Sequence, residues 1–337
     1  MTRAGFVKLA ATGAVAAIAA SMLGGCSGGD GGEGSQGQGA SGQVAGSMRI
    51  GTLQTEDSLP FWVAESRSMY ADAGVQAEII TFQSAQELST AFAAGEIDGA
   101  MTDVQVSSAL VASGIDVTLS WVTLGSEPDQ GRFGIMTSPE SGVASLADLA
   151  GKGIGVGSNT VPEYVMDKLM EAAGVPDDQI VNEEIKKLPV RYESMANNQV
   201  AAAALPGSLL ALGEASGMVL LADDTRGVGN ISQSVFAVRS SWISGGGAST
   251  LEGVRAAWNA AVAAVDADPE SFRALLVEKA NLPELVADSY PIATYPEAAA
   301  PTADMVQPVL EWMARKGYLS EELSYSPDTA ELERKES

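Results

Sequence analysis

From Met48 onward, short apolar runs alternate with longer stretches in which apolar residues recur every three or four positions. The short runs predict strands at 48–53, 75–82, 97–101 and 117–122, and again at 153–157, 185–188, 200–205, 218–221 and 235–238. Helices are predicted between them. Phe61, Trp62, Ala64, Met69 and Tyr70 share one helical face that ends at Ala73-Gly74-Val75, with glycine at the cap. Ser84-Ala85-Gln86-Glu87 reads as a capping box, with Leu88, Ala91 and Phe92 on the inner face. Thr102-Asp103-Val104-Gln105 opens another helix, and Thr160-Val161-Pro162-Glu163 reads as a second capping box with proline in the first turn. Toward the C-terminus, Leu251, Val254, Trp258, Val262 and Val265 share a face, a helix begins at Asp268-Pro269, and Val306, Val309, Trp312 and Met313 mark a third. Aromatics at that spacing predict core packing against the first half of the chain. Strand-helix-strand alternation predicts parallel sheets covered by helices, an α/β protein.

One segment of this pattern occurs twice. Phe92 to Gly114 aligns without a gap with Met195 to Gly217, 103 positions later, matching Ala93/Ala196, Ala100/Ala203, Ala112/Ala215 and Gly114/Gly217. Ala73-Gly74-Val75 returns as Ala173-Gly174-Val175. The repeat predicts two similar lobes, with Thr102-Asp103 and Leu205-Pro206 at equivalent places in them.

The first 47 residues break the rhythm. Arg3 and Lys8 precede an uncharged apolar run that ends at Leu23-Gly24-Gly25-Cys26, which reads as an export signal (1–26) closed by a bacterial lipobox. Cys26 is the only cysteine and stands where lipidation requires it, so no disulfide is expected within the mature chain. Residues 27–47 are almost wholly Gly, Ser, Gln and Ala, a flexible tether. The expected product is a lipid-anchored protein on the extracytoplasmic face of the cell membrane.

Charge and residue usage then exclude chemistry. Nineteen basic residues against 43 acidic ones, with no basic run beyond Lys186-Lys187, give no electrostatic footprint for nucleic acid. The 337 residues contain no histidine, which rules out Ser-His-Asp and Cys-His catalysis and zinc sites built on His and Cys. Glu56 with Asp103 is the remaining pair for acid-base or Ca²⁺ chemistry, but no EF-hand spacing accompanies it. Gly151 to Gly157 satisfies neither GxxxxGK[ST] nor GxGxxG and reads as glycines bounding a buried strand. No catalytic residue, cofactor or metal is expected. What remains is polar residues following strands, where open α/β sheets hold ligands: Thr55, Glu56, Asp57, Ser84, Thr102, Asp103, and in the second lobe Ser158, Asn159, Thr160 and Pro206. Helix N-termini after these loops offer N–H groups to a carboxylate, sulfonate or carbonyl.

The run from Ile50 to Asp103, with Leu146-Ala147-Asp148-Leu149-Ala150-Gly151-Lys152 and Trp312 to Leu319, resembles the ABC-transporter solute-binding proteins of the nitrate, sulfonate, taurine and thiamine-pyrimidine-precursor group. The resemblance implies a type II periplasmic-binding-protein fold: two α/β lobes joined by a two-stranded hinge, lobe one from 48–126 plus 235–337 and lobe two from 127–234, with crossings near Ser126 and Ser234. It implies a monomeric receptor that captures a small polar nitrogen- or sulfur-containing solute and delivers it to a permease with a separate ATPase subunit. Thr55 to Phe61, Ser84, Thr102-Asp103, Ser158 to Thr160 and Pro206 map to the family's ligand loops, and Gln233 stands beside the second crossing. Relatives carry an acidic residue after that proline, where this chain has Gly207. Arg132 and Arg191 are the basic residues nearest the cleft, with Arg191 expected on a helix face turned away; so little positive charge favours a neutral or cationic nitrogenous solute. A ligand-binding sensor lipoprotein is the alternative, followed by a pyrimidine- or menaquinone-pathway enzyme on the same fold. The pyrimidine makers of that group use a histidine that this chain lacks.

Overall fold

The computed structural model describes residues 46–128, 130–226 and 231–335. The expected export signal, Cys26 and the tether as far as residue 45 lie outside the described residues. In chain order the strands are β1 (Ser47–Leu53), β2 (Gln76–Phe82), β3 (Gly99–Asp103), β4 (Val117–Leu124), β5 (Phe133–Thr137) and β6 (Gly153–Val156). They continue with β7 (Val181–Glu184), β8 (Ala202–Pro206), β9 (Val219–Asp223), β10 (Ser234–Arg239), β11 (Leu323–Ser326) and β12 (Glu331–Arg334). They form a seven-stranded sheet, β11-β12-β4-β10-β3-β1-β2, and a five-stranded sheet, β7-β6-β8-β5-β9. The two sheets, each covered by helices, give the two-lobed α/β architecture that the resemblance implies. The backbone passes between the two sheets twice, after Leu124 and after Asp223.

Each sheet is buried on both faces, and the alternation of side chains along a strand assigns them. On β10, Phe236 and Val238 enter one apolar cluster with Trp62, Trp121 and Trp258, while Val235 and Ala237 enter another with Phe92, Leu119 and Trp312. In the smaller sheet Ile135, Ala202 and Ala204 face one cluster and Met136, Ala203 and Leu205 the other. The C-terminal helices Ala248–Ala267 and Ala303–Lys316 cover opposite faces of the larger sheet. Tyr164, on the helix Val161–Ala172 of the smaller lobe, joins the Trp312 cluster, so apolar packing crosses from one lobe to the other.

The strand orders β2-β1-β3-β10-β4 and β7-β6-β8-β5-β9 are the same pattern, each with one antiparallel strand between the last two. The spacing of 103 is kept to the residue: β3 and the helix Val104–Ala112 repeat as β8 and the helix Gly207–Ala215. Gly74 and Gly174 end their helices at φ 74° and 76°, a left-handed turn that glycine makes without Cβ strain.

Three expectations are corrected. The strand expected at 185–188 lies instead at Val181–Glu184, a largely exposed edge strand parallel to β6 whose VNEE sequence carries no apolar alternation. The segment after it enters the helix Leu188–Ala196 at Pro189. The strand β5 was not expected; it pairs antiparallel with both β8 and β9. The hairpin β11–β12 was not expected either; β12 extends the larger sheet beyond β4.

Candidate functional site

The strands β1, β3 and β8 all end at one cavity of about 540 Å³ between the two lobes. Its wall takes Thr55, Asp57, Ser84, Thr102 and Asp103 from the larger lobe, with Ser158, Asn159, Thr160 and Pro206 from the smaller. Of the residues singled out from sequence, Glu56, Phe61 and Gln233 are absent from that wall. Phe61 is fully buried, its ring centroid 4.7 Å from Trp258 and 5.0 Å from Phe236. Its position on the helix Leu59–Ser66 turns it into the core, which corrects its assignment to the ligand loop. Gln233 is buried and donates from Nε2 to the Gly125 carbonyl at 3.3 Å, tying the two interlobe crossings together.

Asp103 ends β3 and caps the helix Val104–Ala112: its Oδ1 accepts from the Val106 N–H at 2.7 Å. Its Oδ2 accepts from the Val161 N–H at 3.2 Å, at the start of a helix of the other lobe. One carboxylate thus serves two helix N-termini across the cleft, where the amide dipoles favour negative charge. Thr160 precedes Val161 but does not cap it. Its Oγ1 donates to the Gly157 carbonyl at 2.6 Å, and Glu163 accepts from the Asn159 N–H, so the expected capping box is replaced by these contacts. Ser84 does cap its helix, accepting from the Glu87 N–H at 3.2 Å.

Asp57 is held by two hydroxyls: Thr55 donates to Oδ1 at 2.5 Å and Ser234 to Oδ2 at 2.6 Å. Glu56 lies behind the wall. Tyr290 donates to its Oε1 at 2.8 Å and Tyr295 to its carbonyl at 2.7 Å. A Cβ on Gly207 would lie 2.7 Å from Glu56 Oε1. Glycine at position 207 leaves room for the Glu56 carboxylate. Burial raises Glu56 to about 7, reinforced by Asp57, while the Tyr290 and Ser208 side chains pull the other way. Burial likewise raises Asp103 to about 6, and it raises Asp57.

Arg191 lines the cavity rather than turning away, because its side chain folds back beneath the strand ends. It is buried, and Nε, Nη1 and Nη2 donate to the carbonyls of Ile185, Ala204 and Lys186 at 2.8, 3.0 and 3.4 Å. Burial lowers it to about 10, so it is charged at neutral pH. Arg132 is engaged elsewhere, with Glu214 and Asp223. The sequence reading also missed the apolar wall: Met101, Val106, Leu110, Phe133, Val161 and Leu188. A signal for part of it was present, since Ala85, Ser89 and Ala93 recur every four residues on one helix face, and small side chains there leave volume. Among the described residues no group of three or more His, Cys, Asp or Glu side chains could hold a metal ion.

A family model described as NMT1/THI5 like matches residues 55–271. The chain belongs to the NMT1/THI5-like family. Solved structures share the fold at low identity. The alkanesulfonate-binding protein SsuA from Xanthomonas axonopodis pv. citri, bound to MOPS, has a TM-score of 0.69 at 18% identity, covering 82% of this chain and 95% of its own. The periplasmic aliphatic sulphonate binding protein SsuA from Escherichia coli has a TM-score of 0.67 at 18% identity, with 82% and 89% covered. The periplasmic nitrate-binding protein NrtA from Synechocystis PCC 6803 has a TM-score of 0.68 at 15% identity, with 84% of each chain covered. No curated protein sequence matches the chain. Within this NMT1/THI5-like chain three helix N-termini at the cavity carry protein partners of their own: Ser84 on one and Asp103 on two.

Proposed function

We propose that this chain is the extracytoplasmic solute-binding receptor of an ABC importer, holding a small polar nitrogen- or sulfur-containing solute between two closing lobes. The observation that carries the reading is the cavity itself: about 540 Å³, bounded by strand ends of both lobes, in the size range of small-molecule sites. A ligand touching both lobes binds the closed form preferentially, so capture and closure are one equilibrium. The sulfonate- and nitrate-binding proteins of the same fold support the reading, as does a sequence without histidine or a free thiol beyond Cys26. The role is binding without catalysis. Lobe one comprises 48–126 plus 235–337 and lobe two 127–234; lipidated Cys26 anchors the monomer outside the membrane, and a permease with its ATPase receives the solute.

Native mass spectrometry of the purified chain is expected to reveal a bound small molecule. Adding that compound back to stripped protein should raise the melting temperature and lower the radius of gyration. A compound that binds without compacting the protein would remove the receptor mechanism.

A further inference from the structure

We propose that the solute, on the receptor reading above, is an organic cation: a protonated amine or amidinium on an apolar body, with Asp57 and Asp103 as its counter-charges. Both carboxylates lie on the cavity wall at 7% and 8% exposure. Among the described residues neither takes part in an ion pair. Each of their four oxygens accepts a hydrogen bond from the protein, the backbone N–H groups of Asp57 and Gln105 also bear on them, and a carboxylate oxygen has capacity for more than one. Beside them Thr102 is 4% exposed and its Oγ1, on the same wall, has no partner; Asn159 presents a buried, unpartnered Oδ1 from the opposite lobe. The unused capacity of this wall is mostly for accepting hydrogen bonds.

Several of the donors that would hold an anion are engaged. The Val106, Val161 and Glu87 N–H groups go to Asp103 and Ser84. Three of the five Arg191 guanidinium N–H groups go to backbone carbonyls. The other lining cation, Lys186, is half exposed, 3.9 Å from the lining carboxylate of Glu184. An anion entering here meets two buried carboxylates that no ion pair compensates, whereas a cation neutralises them. The raised affinity of Asp57 and Asp103 for protons has the same origin, a buried negative charge without a counter-ion. Met101, Val106, Leu110, Phe133, Val161 and Leu188 line the rest of the cavity and suit an apolar body on the ligand.

The test uses shape-matched probes on the purified full chain: phenethylammonium and benzamidinium against phenylethanesulfonate and benzoate, by thermal shift and calorimetry. The cations should stabilise the protein in a dose-dependent way and release protons near pH 6, while the anions do neither. Asp57→Asn and Asp103→Asn should each weaken the cation about tenfold or more, the loss of a charged hydrogen bond; asparagine still caps the Val104–Ala112 helix, so Asp103→Asn keeps the fold. Thr102→Val should weaken it less. Anions that bind and compact the protein while cations do not would overturn the cation assignment and leave the receptor intact. Stabilisation by neither sign, or a co-purified solute of negative charge, also overturns it; the receptor reading is judged separately by compaction with the co-purified compound.

Discussion

Gly207 and Glu56 show how a single atom can set the shape of the site. The resemblance marks position 207 as a departure for lacking an acid, and in the structure the Glu56 carboxylate lies against that glycine. A methyl group on Gly207 would stand 2.7 Å from Glu56 Oε1 and 2.8 Å from Tyr290 Oη, closer than Cβ atoms approach other heavy atoms. Both of those groups are buried and bonded to each other, so neither retreats freely. Gly207→Ala should therefore cost about 1–3 kcal/mol, the range for overpacking, seen as a lower urea midpoint with an unchanged slope. Wild-type stability in that variant would show that the loop yields. Asp103 was visible from sequence because a carboxylate before an apolar helix suits an N-cap whatever the fold. Glu56 was placed in the ligand loop because its partner Tyr290 lies 234 residues away, a distance over which local pattern says nothing.

Among elements, legibility followed how local the determinant is. The strand and helix after Phe92 and after Met195 repeat at one offset because each unit is specified by its own alternation, cap and terminal glycine. Edge strand β7 lacked that signature, since an exposed edge needs no apolar alternation; β11 and β12 are four residues each with one buried leucine apiece, Leu323 and Leu332, too short for the pattern to stand out. The brace between the helices Val161–Ala172 and Ala303–Lys316 was equally silent. Lys316 lies 3.4 Å from Glu163 and 2.9 Å from Asp167; Tyr318 donates to Glu163 at 2.7 Å and Trp312 to Asp167 at 2.8 Å. Glu163 is fully buried, so removing its cation leaves a charge without its counter-ion. Lys316→Met is expected to destabilise the chain by about 2 kcal/mol, below the full buried-pair cost because the lysine keeps 30% of its side-chain surface in water. A denaturation midpoint equal to wild type would mean that Tyr318, Asn182 and the Asn159 N–H satisfy Glu163 without the lysine.

At the scale of the whole molecule, contact between the lobes is titratable. Asp103 bonds the Val161 N–H of the opposite lobe, and Glu56 lies against Gly207 at the head of a second opposing helix. With the lobes in contact as in this structure, burial raises Asp103 from 3.8 to about 6 and Glu56 from 4.5 to about 7. The closed form therefore binds these protons more tightly than an open form in which both carboxylates meet water. Their contribution to closure is fully present below about pH 4 and is lost as pH rises through about 6 for Asp103 and about 7 for Glu56. The radius of gyration of solute-free protein should thus increase between pH 5 and pH 8 in solution scattering. The double variant Glu56→Gln, Asp103→Asn should lose most of that pH dependence and stay near the compact value. A wild-type profile flat across the range would mean that opening leaves both carboxylates buried, and would move the hinge motion away from this contact.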